Sequence, residues 1–166
     1  LSLASANTYA KSYDVVEGKV EWTAVGTPGF LKINGTGGRL TGHAEQSADG
    51  KVTGTFKVAL VDYSTGLALR DKHLREKYFE VATYPKAELV LAAWTPTVAE
   101  SIFNGTLTIK GETKPVSGLA SLRDTKLLAE FTVMLNNYPQ IGVPSFSGIT
   151  VAKDVERLSP EVPIRV

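Results

Sequence analysis

The chain has 166 residues, a formal net charge of +1 and no cysteine. Its length fits one domain, so we expect a single unit over residues 1–166, with residues 1–8 as a flexible N-terminal segment. The lack of cysteine excludes a disulfide framework and a cysteine-based zinc site. The near-neutral charge gives no support for nucleic-acid binding, which needs a strongly basic face.

The first residues of the chain resemble the end of a secretory signal peptide. Ala4, Ser5 and Ala6 fit the small-x-small pattern that precedes a cleavage site. The pattern is short and permissive, and an artificial start to the chain explains it equally well.

Apolar and polar residues alternate along the first part of the chain. The pattern occurs around Val20 and Trp22 and around Leu31 and Ile33, and it is longest in the segment VTGTFKVALV. The inward series of that segment is Val52, Gly54, Phe56, Val58 and Leu60. A period of two in segments rich in Val, Thr and Phe predicts half-buried β-strands.

One segment breaks this alternation and predicts a helix. Leu67, Leu74 and Tyr78 fall on one side of it, and charged side chains cover much of the rest. The Tyr-Pro pair that follows cannot lie within a helix, because proline lacks the amide donor and disfavours helix in the preceding residue. We therefore expect one short surface helix over about residues 67–80.

Alternation resumes after the helix, first at Leu89 and Leu91. The longer inward series are Phe103, Gly105, Leu107 and Ile109, then Ala129, Phe131, Val133 and Leu135, with a last strand at residues 162–166. The longest charge-free run, residues 131–152, is interrupted by asparagine, proline and glycine, so we expect no membrane span.

Turn signals separate the predicted strands at residues 34–38, 48–50 and 110–115. Strands joined by short turns predict an antiparallel, all-β meander. It can form a closed up-and-down barrel or a two-sheet sandwich, since both bury one face of each strand.

Catalytic and metal-binding signatures are missing from the sequence. His43 and His73 have no metal-ligand spacing, and no nucleophile elbow or phosphate-binding loop occurs. The glycines of INGTGGRLTG resemble a phosphate cradle, but strand-like sequence follows them, so we expect a hairpin turn there. We expect no catalytic residue, no metal and no cofactor.

Two glycines fall at inward positions beside aromatic residues. Gly54 neighbours Phe56, and Gly105 neighbours Phe103. Such glycines mark bends in a packed core, or they leave room for a small ligand inside a barrel. The pattern alone favours the packed core.

The segments STGLALRDKHLREKYFEVATYPKAELVL and FNGTLTIKGETKPVSGLASL closely resemble the YceI-like family of polyisoprenoid- and lipid-binding proteins. The shared motifs are Thr65-Gly66, Arg70-Asp71-Lys72-His73-Leu74, Tyr78-Phe79, Tyr84-Pro85, the strand at 105–111 and Thr113-Lys114-Pro115. The resemblance is strong over residues 62–122. The opening strand KVEWTAVG departs from the family's usual Ser-x-Val-x-Phe entrance, so the resemblance does not assign the inner face there.

The resemblance implies an extended, lipocalin-like antiparallel β-barrel of about eight strands with one short helix. It also implies an apolar tunnel for a polyisoprenoid or similar long-chain amphiphile in a periplasmic or secreted bacterial protein. No catalytic residue is carried over. A long-chain lipid or isoprenoid is the expected partner, and a homodimer is left open.

The resemblance and the inward series together predict a ligand-binding set. Its members along the apolar chain are Phe56, Val58, Leu60, Phe79, Phe103, Leu107, Phe131 and Val133. Arg70 and His73 are placed at a barrel mouth, where they bind a polar headgroup or tether the helix. The alternatives to a lipid carrier are a ligand-free interaction or stress-response module and an enzyme that uses His73.

Overall fold

The computed structural model describes residues 11–16, 18–27, 32–123, 126–133, 138, 145–146 and 149–165. In this part of the chain eleven strands form one antiparallel sheet. They are β1 (Lys11–Val15), β2 (Lys19–Thr27), β3 (Lys32–Thr36), β4 (Leu40–Gln46), β5 (Val52–Ala59), β6 (Lys86–Trp94), β7 (Ser101–Ile109), β8 (Glu112–Arg123), β9 (Lys126–Val133), β10 (Ser145–Phe146) and β11 (Ile149–Arg165).

The sheet closes on itself because two pairs of consecutive strands each act as one long, interrupted strand. β1 and β2 both pair with β11, with Val15 opposite Ile164 and Lys19 opposite Glu161. β4 pairs with β1 and β3 with β2, so the second pair runs beside the first. With each pair taken as one strand, the ring passes through eight strands: β1–β2, β3–β4, β5, β6, β7, β8, β9 and β11. Of the two predicted architectures, the barrel of about eight strands is confirmed.

Two of the three predicted turns form hairpins. Gly50 (φ 87°) lies in the β4–β5 turn, and Lys110 (φ 49°) and Gly111 (φ 77°) form the β7–β8 turn. The prediction of a hairpin in the first glycine-rich segment, residues 34–38, is wrong. Gly37 (φ 107°) and Gly38 (φ 81°) instead bend the chain between β3 and β4, which lie beside different partners. The positive φ angles at this bend require glycine, because the chain must turn from β2 towards β5.

The helical segment connects β5 to β6. The α-helix α1 (Ala68–His73) continues into a π-helical turn (Leu74–Tyr78), so the predicted helix is confirmed. Its predicted apolar face is only partly right, because Leu74 is buried whereas Leu67 is 59% exposed. Leu67 precedes the first turn with extended backbone (φ −124°, ψ 112°) and is therefore not on the helix face.

The inward series predicted for β5, β7 and β9 is confirmed by burial. The buried members are Val52, Phe56, Phe103, Leu107, Ile109, Ala129, Phe131 and Val133. Leu60 differs from them: it lies beyond β5, in a short 3₁₀ turn (Leu60–Asp62), and is half-buried. Leu31 and Leu135 lie outside the described residues.

One end of the barrel is closed by three buried aromatic side chains, Trp22, Tyr63 and Phe79, which we call the aromatic plug. The ring centroids of Trp22 and Tyr63 are 5.3 Å apart, and those of Tyr63 and Phe79 are 6.0 Å apart. Trp22 comes from β2, whereas the other two flank the helical segment in sequence. The plug therefore fixes the helical segment to the barrel.

Candidate ligand-binding cavity

An apolar cavity lies inside the barrel. Five of the eight apolar side chains predicted to bind a ligand line it: Phe56, Val58, Phe103, Leu107 and Phe131. The remaining lining residues are Val20, Leu40, Ala87, Leu89, Leu91, Trp94, Ala120, Leu127 and Ala129. Every lining side chain in the described part of the chain is aliphatic or aromatic, so these residues offer a ligand dispersion and hydrophobic contacts rather than hydrogen bonds.

The one polar group among the lining side chains is already satisfied. The indole N–H of Trp94 donates a hydrogen bond to Oγ of Ser101 at 2.9 Å. The hydroxyl of Ser101 in turn donates to the carbonyl oxygen of Thr95 at 3.3 Å. The indole therefore presents its apolar surface to the cavity, as expected for a buried tryptophan.

Small side chains create part of the space. Ala87, Ala120 and Ala129 line the cavity, and Ala120 lies directly opposite Ala129 across β8 and β9. A paired alanine position on the inner face leaves a recess between larger neighbours. The cavity volume is about 70 Å³.

Two aromatic side chains meet on the wall beside this alanine pair. Phe103 and Phe131 lie on β7 and β9, and both are directly opposite Gly118 of β8. Their ring centroids are 6.0 Å apart, and the rings are nearly perpendicular (88°). This edge-to-face contact is a favoured arrangement that holds both rings in place.

Three predicted ligand-binding residues do not line the cavity. Phe79 is in the aromatic plug, Leu60 is in the 3₁₀ turn, and Val133 is fully buried at the end of β9. All three are apolar as predicted, but Leu60 and Phe79 lie outside the strands and Val133 is the last residue of β9. Their role in ligand binding stays a prediction.

Arg70 belongs to a group that we call the polar clamp: Ser64, Thr65, Arg70 and Asp71. The Nε of Arg70 donates to Oγ1 of Thr65 at 2.7 Å, and Nη2 donates to the carbonyl oxygen of Thr65 at 2.8 Å. These contacts favour the tethering role over headgroup binding. They tie the start of α1 to the chain that precedes it.

Asp71 is the centre of the polar clamp and is only 6% exposed. Its carboxylate accepts hydrogen bonds from the backbone N–H of Thr65 at 2.8 Å, from the Thr65 hydroxyl at 2.5 Å and from the Ser64 hydroxyl at 3.0 Å. Burial raises the pKa of Asp71, but these hydrogen bonds and the nearby Arg75 outweigh burial, so the pKa is lowered. Asp71 is therefore a structural carboxylate held in its charged form.

The two histidines lie apart, and neither lines the cavity. His73 is exposed, and within the described ranges it makes no hydrogen bond or ion pair. His43 is on the outer surface, with Nδ1 2.7 Å from Asp14 and Nε2 3.4 Å from Glu45. Hydrogen bonds that the imidazole donates to these carboxylates raise the pKa of His43.

In the described part of the chain, no group of three or more metal-binding side chains comes together. No helix in that part is long and apolar enough to cross a membrane.

These observations define the class of the protein. It is a small antiparallel β-barrel with a helical segment over one end and an apolar cavity inside. The family model of the YceI-like domain matches residues 12–166. The chain therefore belongs to the YceI-like family.

Solved structures share this fold at low sequence identity. BcnA of Burkholderia cenocepacia aligns with a TM-score of 0.67 and 16% identity, covering 90% of this chain and 96% of that chain. A polyisoprenoid binding domain from Saccharophagus degradans aligns with a TM-score of 0.62 and 13% identity, covering 91% and 98%. The YCEI protein of Campylobacter jejuni aligns with a TM-score of 0.52 and 16% identity, covering 75% and 83%.

One curated relative is more similar in sequence over a shorter stretch. A UPF0312 protein of Photorhabdus laumondii is 39% identical over 80 residues. The match covers 48% of this chain and 41% of that protein, so it spans less than half the length of its relative.

Proposed function

We propose that the protein binds and carries a long-chain lipophilic molecule, a polyisoprenoid or a similar amphiphile, inside the barrel. The observation that carries the proposal is the cavity lined by aliphatic and aromatic side chains alone. The proposal is supported by membership of the YceI-like family and by the fold shared with a polyisoprenoid binding domain. In the described part of the chain, the lining supplies no acid, base or nucleophile, which favours binding over catalysis.

A long chain requires a wider cavity than the one described. The volume of about 70 Å³ is smaller than the cavity of about 150 Å³ that admits benzene. Binding therefore has to move side chains or separate strands. We expect this to begin at Leu40, Val58 and Leu89, because they are only partly buried whereas the other lining residues are mostly buried.

The hydrophobic effect supplies enough free energy for such a rearrangement. Burial of apolar surface contributes about 25 cal/mol per Å², so a chain that buries a few hundred Å² gains on the order of several kcal/mol. Part of this gain is offset by the ordering of the chain and of the protein. The polar headgroup stays at a barrel mouth, because the cavity lining has no free polar group to receive it.

The proposal includes export to the periplasm or beyond. It is supported by the signal-like residues Ala4, Ser5 and Ala6 and by the resemblance to a family of exported proteins. Fractionation of cells that express the full-length gene tests this part separately. Recovery of the protein in the cytoplasmic fraction alone would contradict it.

Solvent extraction of the purified protein, followed by mass spectrometry, tests the binding function. We expect an extractable long-chain lipid, and we expect delipidated protein to bind geranylgeraniol in isothermal titration calorimetry. Protein that yields no lipid and binds neither geranylgeraniol nor a long-chain fatty acid would contradict the proposal. Extraction of the same mass of an unrelated protein from the same cells is the control for carry-over.

A ligand-free interaction module is the second candidate, and one observation favours it. Ile102 and Leu119 are 70% and 42% exposed, and they lie directly opposite each other on the outer face of β7 and β8. Exposed apolar pairs of this kind occur at protein interfaces, although single exposed residues are common. Loss of a recovered partner on Ile102→Ser, with lipid binding absent, would favour this candidate.

A further inference from the structure

Four aromatic residues on the inner face of the barrel lie opposite glycine on a neighbouring strand. Phe56 of β5 is opposite Gly42 of β4, and Trp22 of β2 is opposite Gly35 of β3. Gly118 has the same relation to the phenylalanines on both sides of it. Directly opposite residues of antiparallel strands are near neighbours on one face, so each ring lies next to a position without a side chain.

The pair formed by Gly42 and Phe56 lies at the cavity wall. A methyl group on Gly42 would be 2.6 Å from Cδ1 of Phe56, far closer than carbon atoms normally approach. A methyl group on Gly54 would be 3.1 Å from Cε2 of the same ring. The ring of Phe56 therefore lies against two glycines, one on the neighbouring strand and one on its own.

The position of this ring affects the space that is open to a ligand. Phe56 lines the cavity, whereas Gly42 and Gly54 are not lining residues and lie against its ring. A side chain at Gly42 has to push the ring away from β4. Because the wall is behind the ring, the displaced ring moves into the cavity, which has a volume of only about 70 Å³.

We infer that Gly42 is a specificity-determining residue of the cavity: by leaving room for the ring of Phe56 at the wall, it sets the width available to a bound chain. The inference rests on the proposed function, because it concerns which lipid chains the cavity admits. It assigns a role to a residue that makes no contact with the ligand and acts through Phe56.

The test compares geranylgeraniol binding by the wild type, Gly42→Ala, Phe56→Ala and the double variant, using isothermal titration calorimetry. We expect Gly42→Ala to weaken binding by about tenfold, which corresponds to ~1.4 kcal/mol. In the Phe56→Ala background the same change has no ring to displace, so we expect the affinities of Phe56→Ala and of the double variant to agree within about twofold. Thr41→Ala, an exposed change on the same strand, is the matched control and is expected to bind like the wild type.

Two results would overturn the inference. One is wild-type affinity in a folded Gly42→Ala variant. The other is a loss in the double variant as large as in Gly42→Ala alone, because the effect then does not pass through the ring. If Gly42→Ala does not fold, Phe56→Ala must still take up more xenon than the wild type, and equal or lower uptake would overturn the inference.

Xenon uptake separates this inference from the proposed function. Apolar cavities bind xenon whether or not a lipid is the natural ligand. If no variant binds geranylgeraniol but xenon NMR shows less uptake in Gly42→Ala and more in Phe56→Ala, the proposed function fails and the role of Gly42 in cavity width stands. Equal xenon uptake in all variants would overturn that role.

Discussion

The helical end of the barrel and the barrel centre hold their side chains in different ways. At the helical end, the polar clamp satisfies a buried carboxylate with hydrogen bonds, and the aromatic plug packs three rings together. At the centre, small residues such as Ala120 and Ala129 leave a cavity that side chains do not fill. A domain gains stability from filled, satisfied contacts and loses it to empty space.

This difference suggests a division of labour between the two regions. The helical end stabilises the fold, whereas the centre is less densely packed and leaves space for a ligand. Substitutions in the aromatic plug or polar clamp should therefore change the free energy of unfolding more than ligand affinity. Substitutions at the cavity should do the reverse.

The largest expected effect is at the aromatic plug. Phe79→Ala removes a buried ring that contacts Tyr63, so we expect a loss of about 4 kcal/mol in the free energy of unfolding. The measurement is urea denaturation, with Leu69→Ala, a change at a 67% exposed position in α1, as the control. We expect geranylgeraniol affinity to change by less than about twofold. A large loss of affinity without a loss of stability would place Phe79 in the ligand site instead.

The polar clamp gives the next largest effect. Asp71→Ala leaves the Thr65 N–H and two hydroxyl groups without their acceptor, so we expect a loss of about 3 kcal/mol. Lys72→Ala, an exposed change next to it, should cost less than about 0.5 kcal/mol. Chemical denaturation of both variants at neutral pH gives the comparison. Equal stability of the two would contradict the structural role of Asp71.

The pH dependence of stability follows from the lowered pKa of Asp71. The stabilisation is fully present above the unfolded value of about 3.9 and is lost as the pH falls through the lower folded value. The stability difference between the wild type and Asp71→Ala should therefore shrink as the pH falls below about 4. A difference that stays constant or grows with acid would contradict this cause.

Filling the cavity should lower ligand affinity more than it changes the free energy of unfolding. Ala129→Leu adds a larger side chain to the cavity wall, so we expect geranylgeraniol affinity to fall by about tenfold. The free energy of unfolding should change by less than about 1.5 kcal/mol, because the new side chain enters empty space. Ala93→Leu, the same change at an exposed position of β6, is the matched control. Normal lipid binding by Ala129→Leu would mean that the chain does not occupy this recess.

The smallest effect concerns His43, outside both regions. Its pKa is raised by hydrogen bonds that it donates to Asp14 and Glu45, so NMR titration of Asp14→Asn should show a lower pKa for His43 than the wild type. Any stabilisation from this pair is present below the unfolded pKa of about 6.5 and is lost as the pH rises through the folded value. Lipid affinity should not follow this titration. Lipid affinity that changes with the protonation of His43 would mean that the outer surface of the barrel takes part in lipid binding.

The sequence predicted the inner face of the barrel better than the site within it. A period of two identifies which side of a strand is buried, so Phe56, Leu107 and Phe131 were correctly placed inside. It does not give the height of a residue along the barrel. That height depends on how neighbouring strands pair, so the period could not show that Val133 lies outside the cavity lining. Phe79 lies in no strand, and its position depends on how the helical segment packs against the barrel. Ala129 was part of a predicted inward series, whereas Ala120 was missed because no inward series was predicted for β8.

The charged segment around α1 shows a second reason for incomplete prediction. Its sequence identified the family, and its helix was correctly predicted. The burial of Asp71 was not predicted, because it depends on Ser64 and Thr65 folding back over the start of the helix. The predicted face of Leu67 was wrong for a related reason, since the helix begins one residue later.

Site-resolved fluorescence quenching tests the central claim, that a lipid chain lies in the cavity rather than at the helical end. The chain has two tryptophans, Trp94 in the cavity wall and Trp22 in the aromatic plug. In the variant Trp22→Phe, which retains Trp94, dibromostearic acid should quench the fluorescence strongly. In Trp94→Phe, which retains Trp22, quenching should be much weaker. Stronger quenching of Trp22, or no quenching of Trp94 by the bound fatty acid, would contradict the account.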